Sequence, residues 1–486
     1  MSKQISHRYL FLLAAAALAG SLAFCPVIPV NASSEAELRL ETHRAMEIQS
    51  NDIPDWPDGP VTGAESAILI EAETGTVLYS KNIHQRQYPA STTKILTALI
   101  ASERCGMDET VTFSHDAVFD TPRDSSHIAM NPGEELSMEQ SLNAILIRSA
   151  NEVCYAVAEH ITETTDWSVF AGIMNERAAE LGCLDSHFVN PNGLPDEEHY
   201  TTAYDLAMIG RAFFANEMLC KITLSRRIDF PPTEKLPSGK LENNIMKIIP
   251  TGEYAYEYIV GCKTGYTDAA RSCLVSSAEK DGLKLICVVM HDEAPWQYLD
   301  TIALFEYGFS NFEKVNVAQT DDRYSIDNTG LFYSGNDIFG SSQPFLSLNQ
   351  DDFILLPRTA SLDDTESVIS YDTENENQAA VISYTYRNVP IGSVRVIFSA
   401  IRKEHSLFDA APEDMPSIAE PEKPVIFVNV AYILIGMGVL AGVMLIMLLV
   451  RAILRNYQFA DRKHRRRKGR NGRKEWKRRN RRMYKN

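Results

Sequence analysis

The sequence predicts an α+β chain: an antiparallel sheet with helices packed over it, then a small all-β domain, then a C-terminal transmembrane helix. Three observations carry that expectation. Apolar, β-branched runs near residue 70 and between residues 258 and 290 bracket a series of helical patterns. Beyond about residue 314, short strand signals alternate with polar turns. Val425 to Val450 contain no charge and are followed by a strongly basic end. At 486 residues the chain is too long for one ordinary core, which suggests two folded domains with appendages.

At the start, Lys3 and Arg8 precede the apolar run Tyr9 to Phe24, and Val30-Asn-Ala32 offers small residues for cleavage, so residues 1–32 read as a signal peptide. Residues 33–61 are mixed, contain proline and read as an extended leader. The first domain, residues 62–312, begins with Ser66 to Glu71, turns at Glu73-Thr-Gly75 and returns as Thr76 to Lys81, a hairpin. Pro89 ahead of the apolar run Ile95 to Ile100 announces a helix with Ser91 in its first turn.

Ser137 caps the next helix, whose Leu142, Ile145 and Leu146 share one stripe. The pattern breaks at Arg148-Ser-Ala-Asn151 and resumes through Val153, Val157 and Ile161, so Ser149 and Asn151 fall where two helices meet. Asn190 to Pro195 is a turn-rich loop, and Ala203 to Phe214 is helical again. Tyr258 to Gly265, Cys273 to Ala278 and Leu283 to Met290 read as an antiparallel meander. Trp296 to Phe309 is a closing helix with an apolar face for the sheet.

Residues 313–402 carry the strand signals Asp352 to Leu356, Ala380 to Tyr386 and Gly392 to Phe398 of the all-β domain. Residues 403–424, with prolines 412, 416 and 421, form an acidic linker. Residues 425–450 are long enough to cross about 30 Å of hydrocarbon as a helix. The tail, residues 451–486, contains 17 Lys and Arg against Asp461 and Glu475, a net of +15, and belongs on the cytoplasmic side. The expected arrangement is therefore a single-pass protein of the cell membrane, with everything between signal peptide and span outside the cytoplasm.

Subtracting the tail from the overall charge of −17 leaves −32 for residues 1–450, which argues against nucleic acid as a partner of the external part. The basic tail suits anionic lipid head groups. Removal of the signal peptide leaves seven of eight cysteines, scattered without paired spacing, so no disulfide framework is expected. Cys154, Cys273 and Cys287 read as small buried hydrophobes. No zinc spacing or cofactor motif stands out, and His291-Asp-Glu293 is too bare to count as one.

The chemistry centres on Ser91 and Lys94. Three residues apart at a helix start, they share one face, so the lysine amine can reach the serine hydroxyl and take its proton, while backbone N–H groups there can hold an oxyanion. Alone, this pair would be a helix cap beside a solvated lysine. It is not alone, because Ser149-Ala-Asn151 and Lys263-Thr-Gly265 follow. Ser-x-x-Lys, Ser-x-Asn and Lys-Thr-Gly in this order resemble the signature of the penicillin-binding protein and serine β-lactamase superfamily.

Within it, the chain resembles the low-molecular-mass penicillin-binding proteins that act as serine-type D-alanyl-D-alanine carboxypeptidases. The likeness covers roughly residues 62–312: Tyr88-Pro-Ala-Ser-Thr-Thr-Lys94, Gly133-Glu134, Ser149-Ala-Asn151, Asn190-Pro191, Gly193-Leu194, Thr201-Thr-Ala-Tyr-Asp205 and Lys263-Thr-Gly-Tyr-Thr267 all fit. Two departures are Asn192, where many members carry His, and the basic tail, longer than the usual amphipathic anchor.

The resemblance implies a penicillin-binding catalytic domain and cell-wall chemistry, with peptidoglycan stem peptides as substrate, β-lactams as covalent inhibitors and no cofactor or metal. It implies Ser91 as nucleophile, Lys94 as its base and Ser149 as proton relay to the leaving amine. Asn151 would orient Lys94 and the substrate amide, Lys263 and Thr264 would meet the substrate carboxylate, and Gly265 would allow close backbone approach. The N–H groups of Ser91 and Tyr266 would form the oxyanion hole. A β-lactamase is the near rival, disfavoured because no Glu-x-x-Leu-Asn string lies between the second and third motifs. A penicillin-binding membrane sensor is a rival of another class; its tail, lacking apolar periodicity, would need a partner to signal.

Overall fold

The structure, a computed structural model, describes residues 34–230, 232, 238–320, 346–372 and 377–398. The expected signal peptide, acidic linker, membrane span and basic tail lie outside the described residues. Among the described residues, no helix is long and apolar enough to cross a membrane.

The central sheet has five antiparallel strands: β1 (Ser66–Glu71), β2 (Val77–Lys81), β3 (Ile259–Thr267), β4 (Arg271–Lys280) and β5 (Leu283–Asp292), in the spatial order β2-β1-β5-β4-β3. Hairpin and meander form as expected. They are joined by β1 against β5, with Ser66 opposite Met290 and Glu71 opposite Leu285. Because side chains alternate, Ile68 and Ile70 enter one core with Ile286 and Val288, while Ala67 and Leu69 enter another with Leu285 and Cys287. The sheet is buried on both faces, which is why its strands read as unbroken apolar runs.

The first core holds the helices that carry the site: α2 (Lys94–Arg104), α3 (Met138–Ile147) and α4 (Asn151–Thr162). Ile95, Leu96, Leu99 and Ile100 of α2 are almost fully buried, each worth roughly 1.5–3 kcal/mol. Ser137 caps α3 through a reciprocal box with Gln140. Helix α5 (Trp296–Asn311) covers the opposite face, with Leu304 and Phe305 in the second core.

Beyond α5, Phe312–Val315 pairs with Ile354–Pro357. A separate four-stranded antiparallel sheet runs in the order Leu346–Leu348, Val389–Phe398, Gln378–Tyr386, Glu366–Ser370. Ile354, Tyr384, Ile391 and Val394 share the second core with Trp56 and Phe312. The described residues accordingly belong to one compact unit, and residue 313 marks no break in their packing.

One expectation is overturned. Within the leader expected to be extended, Glu35–Arg44 form a helix, α1. Ser34 Oγ accepts the Glu37 N–H at 3.2 Å while Glu37 Oε2 accepts the Ser34 N–H at 2.8 Å, a capping box. Helix α1 has no apolar stripe, so periodicity could not reveal it. Polar contacts hold it: Arg39 Nε donates to Glu293 at 2.6 Å, Lys81 Nζ to the His43 carbonyl at 2.7 Å, and Arg44 lies over the Trp296 ring at 4.1 Å. The cysteines follow expectation, with Cys154, Cys273 and Cys287 buried and free.

Candidate active site

Ser91 lies in a single 3₁₀ turn, Ala90–Thr93, that runs directly into α2. Lys94 opens the α-helix. Its Nζ is 2.8 Å from Ser91 Oγ, 2.7 Å from Asn151 Oδ1 and 2.6 Å from the Asn192 carbonyl oxygen. Two of these partners can only accept. A neutral amine has two hydrogens, so giving both to Asn151 and Asn192 leaves its lone pair facing the Ser91 hydroxyl. Burial pushes the Lys94 ammonium down to about 8, since no carboxylate bonds to it. The arrangement is that of a serine with a poised base.

Ser149 stands in the break between α3 and α4, at φ 60°. Non-glycine residues adopt that region at a cost of roughly 1–3 kcal/mol, and the packed helix ends on either side impose it. Lys263 Nζ donates to Ser149 Oγ at 3.1 Å and to the Thr264 carbonyl at 2.7 Å. Burial, and then the charge of Lys94, hold Lys263 well below the ordinary lysine range. Lys263 is fully buried behind Ser149. The third motif thus touches the second through a side-chain hydrogen bond.

A cleft of about 820 Å³ is walled by Ser91, Ser149, Asn151, Thr264, Gly265 and Tyr266, so six of the eight expected residues face one space, with Lys94 and Lys263 behind it. Tyr266 is 57% exposed and stands at the mouth, its hydroxyl bonded to Asp268 at 3.2 Å. Two glycines let backbone close on the nucleophile turn. A Cβ on Gly265 would lie 2.8 Å from the Pro89 oxygen and 3.0 Å from Ser91 N; Gly193, at φ 81°, would place one 1.8 Å from the Ala90 oxygen.

The loop carrying Asn192 keeps its contact despite the departure from the usual His, because the contact to Lys94 is made by the backbone carbonyl. Thr97 Oγ1 donates to the Pro191 carbonyl at 2.6 Å and steadies the same loop.

Sequence reasoning missed Glu152 and His199. Glu152 follows Asn151 directly but turns away from the cleft: its Oε1 accepts the Ile128 N–H at 2.7 Å, and burial raises its carboxyl above the usual range. With Asn151 N donating to the Ser126 carbonyl at 2.9 Å, it anchors the loop whose Pro122, Asp124, Ser125 and Ser126 form one cleft wall. His199 Nδ1 accepts the Val189 N–H at 3.1 Å, so its other nitrogen donates to Thr93 Oγ1 at 2.9 Å, directly beneath the nucleophile turn. Burial pushes His199 down to about 4. A carboxylate beside Ser-x-Asn was a legible signal; a lone histidine a hundred residues from Thr93 was not.

Comparison with known proteins gives a consistent picture. A family described as D-alanyl-D-alanine carboxypeptidase, peptidase family S11, matches residues 56–294. The D-alanyl-D-alanine carboxypeptidase DacF of Bacillus subtilis is 34% identical over 258 residues, 51% of this chain and 63% of the relative. The D-alanyl-D-alanine carboxypeptidase DacB2 of Mycobacterium tuberculosis is 31% identical over 262 residues, 52% of this chain and 84% of the relative. Among solved structures, penicillin binding protein 5 of Haemophilus influenzae superposes with a TM-score of 0.56 at 22% identity, covering 70% of this chain and 98% of that one, which shows a shared fold.

Proposed function

Because the chain belongs to the D-alanyl-D-alanine carboxypeptidase family, we propose that it removes the terminal D-alanine of peptidoglycan stem peptides through an acyl-enzyme on Ser91. The observation that carries this reading is the 2.8 Å contact between Ser91 Oγ and Lys94 Nζ. Lys94 takes the serine proton as Oγ attacks the carbonyl between the two D-alanines. The N–H groups of Ser91 and Tyr266 hold the oxyanion. Ser149, polarised by Lys263, relays to the departing D-alanine amine the proton that Lys94 took, and Thr264 meets its carboxylate. Water then cleaves the ester.

A β-lactam offers the same nucleophile a carbonyl beside a carboxylate, but its leaving group stays tethered, so the adduct persists. The β-lactamase alternative needs a carboxylate to activate water against that adduct. The acids lining the cleft among the described residues, Asp124 and Asp268, do not bond to Ser91 or Lys94, and the Oε1 of Glu152 is engaged by the Ile128 amide.

The reading extends to placement. Residues 1–32 direct export, residues 425–450 anchor the chain, and residues 451–486 lie on anionic lipid in the cytoplasm. The hydropathy and charge of those segments support this. Ending the chain at residue 423 should release active protein from membranes; a truncated protein that still sedimented with them would refute the anchor.

The test of the activity is mass spectrometry of the intact protein with penicillin, paired with an assay for free D-alanine. The parent should gain one penicillin mass and release D-alanine, and Ser91→Ala should do neither. An adduct on another residue, or undiminished D-alanine release by the variant, would overturn the assignment.

A further inference from the structure

Among the described residues, two clusters bring three metal-ligating side chains together, one of them made of residues that do not line the cleft: His43 from α1, Glu65 ahead of β1 and His291 near the end of β5. Their ligand atoms lie within 4.8 Å of one another. We propose that these three residues form a binding site for a divalent transition-metal ion of the zinc class, which fastens α1 to the ends of the interior strands β1 and β5.

Donor chemistry and geometry both favour it. Two imidazoles and a carboxylate make a borderline set suited to zinc, with a fourth position for water. The tautomer of His43 is settled by its neighbour: a carbonyl oxygen only accepts, so the 2.9 Å contact of Nδ1 with the Gly63 oxygen puts the hydrogen on Nδ1 and the lone pair on Nε2. A ring N–H donated to a backbone carbonyl is the outer support that metal-bound histidines use.

Glu65 is braced in the same way. Its Oε1 accepts from Gln85 Nε2 at 2.6 Å, and its own carbonyl accepts from Asn82 Nδ2 at 2.9 Å, which leaves Oε2 directed at His291 Nδ1. In the metal-free protein a hydrogen on Nδ1 bridges that pair. An ion would take its place, the ring hydrogen moving to Nε2, the other neutral tautomer. Zinc bonds of about 2.0–2.1 Å set tetrahedral donors about 3.4 Å apart, so Glu65 Oε2 and His291 Nδ1, now in direct hydrogen-bond contact, would part to admit the ion while His43 closes on it.

The surroundings explain what an ion would do. Helix α1 has little apolar surface with which to dock, and His43 is its one fully buried residue. Lys81 lies nearby, donating to the His43 carbonyl at 2.7 Å and to the Thr62 carbonyl at 2.9 Å. The second cluster, Cys105, Glu109 and His160, is a weaker site, because Glu109 is exposed and none of its three residues is buried as His43 is.

The experiment strips the full-length protein in detergent with a chelator, titrates it with Co²⁺ followed by visible absorption, and displaces the cobalt with Zn²⁺. The expected result is a saturable cobalt spectrum, with affinity falling at least tenfold in His43→Ala and in His291→Ala and unchanged in the Cys105→Ser/His160→Ala double variant. Penicillin labelling of Ser91 confirms that each variant is folded, and His43→Gln and His291→Gln replace any that is not. A second readout uses the parent: Zn²⁺ should slow tryptic cleavage after Arg39 and Arg44 relative to chelator. No saturable spectrum, an affinity unchanged in both histidine variants, or a spectrum lost with Cys105 and His160 would overturn the site. Cobalt binding without slower cleavage would overturn its role in fastening α1.

Discussion

Gly265 approaches Pro89 so closely that a methyl group on its Cα would sit 2.8 Å from the Pro89 carbonyl oxygen. Strand β3 and the nucleophile turn are therefore held at a spacing set by the absence of a side chain. Gly265→Ala must push the turn away or bend the strand, and overpacking of this kind costs about 1–3 kcal/mol. The expected outcome is a folded protein whose penicillin acylation rate falls at least tenfold, because the Ser91 and Tyr266 amides no longer converge. A variant acylating at the parental rate would show that the contact does not set the geometry.

Lys94 makes acylation pH-dependent with a definite sign. Its ammonium is pushed down to about 8 by burial, and only the neutral amine can accept the Ser91 proton. The rate of penicillin labelling should rise with pH and level off above about 8. Stability moves the same way: the unfolded lysine binds a proton more tightly, so between about 8 and 10.5 this group's contribution grows with pH. Lys94→Arg should acylate orders of magnitude more slowly at every pH. A labelling rate flat from pH 6 to 9 in the parent would exclude Lys94 as the base.

His199 should cost stability in mild acid. Its folded value of about 4 lies below the ordinary 6.5, so the folded state is penalised as pH falls from 6.5 towards 4, and the penalty is complete below that. Between pH 7 and 5 the loss is about 2 kcal/mol. His199→Gln can still accept from Val189 and donate to Thr93 without titrating. Urea midpoints at both pH values should converge in the variant, relative to the parent; an equal drop in both proteins would refute the assignment.

Glu152 tests whether the cleft wall needs its anchor. Glu152→Ala leaves the buried Ile128 amide without an acceptor, at a cost of about 1–3 kcal/mol. The loop from Pro122 to Ser126 should loosen, raising the substrate concentration needed for half-maximal D-alanine release more than it lowers turnover. Glu152→Gln keeps an acceptor and should restore most of the loss. If the alanine and glutamine variants behaved alike, charge rather than anchoring would be the function of Glu152.

Much of the molecule was legible before any coordinates. Hairpin, meander, the cap at Ser137 and the helices around the site are written in local patterns, because β-branched runs, 3.6-residue stripes and capping side chains act over a few residues. The three motifs were readable for the same reason: Ser91 with Lys94, Ser149 with Asn151, and Lys263 through Tyr266 are each set by one turn or one strand. Helix α1 escaped, since its contacts are polar and its partners, Glu293 and Lys81, lie elsewhere in the chain.

What local patterns could not supply was which segments meet. Pairing β1 with β5 closes more than two hundred residues of chain, and that closure brings His43 and Glu65 to His291. The same packing draws the Asn192 carbonyl onto Lys94 Nζ, where it helps direct the amine lone pair, and buries Lys263 behind Ser149. Burial is a property of the assembled core, so it is there that the ammonium of Lys94 is pushed down to about 8. The chain order of residues wrote down the reacting groups, and the packing of distant segments set their protonation, their spacing and their partners.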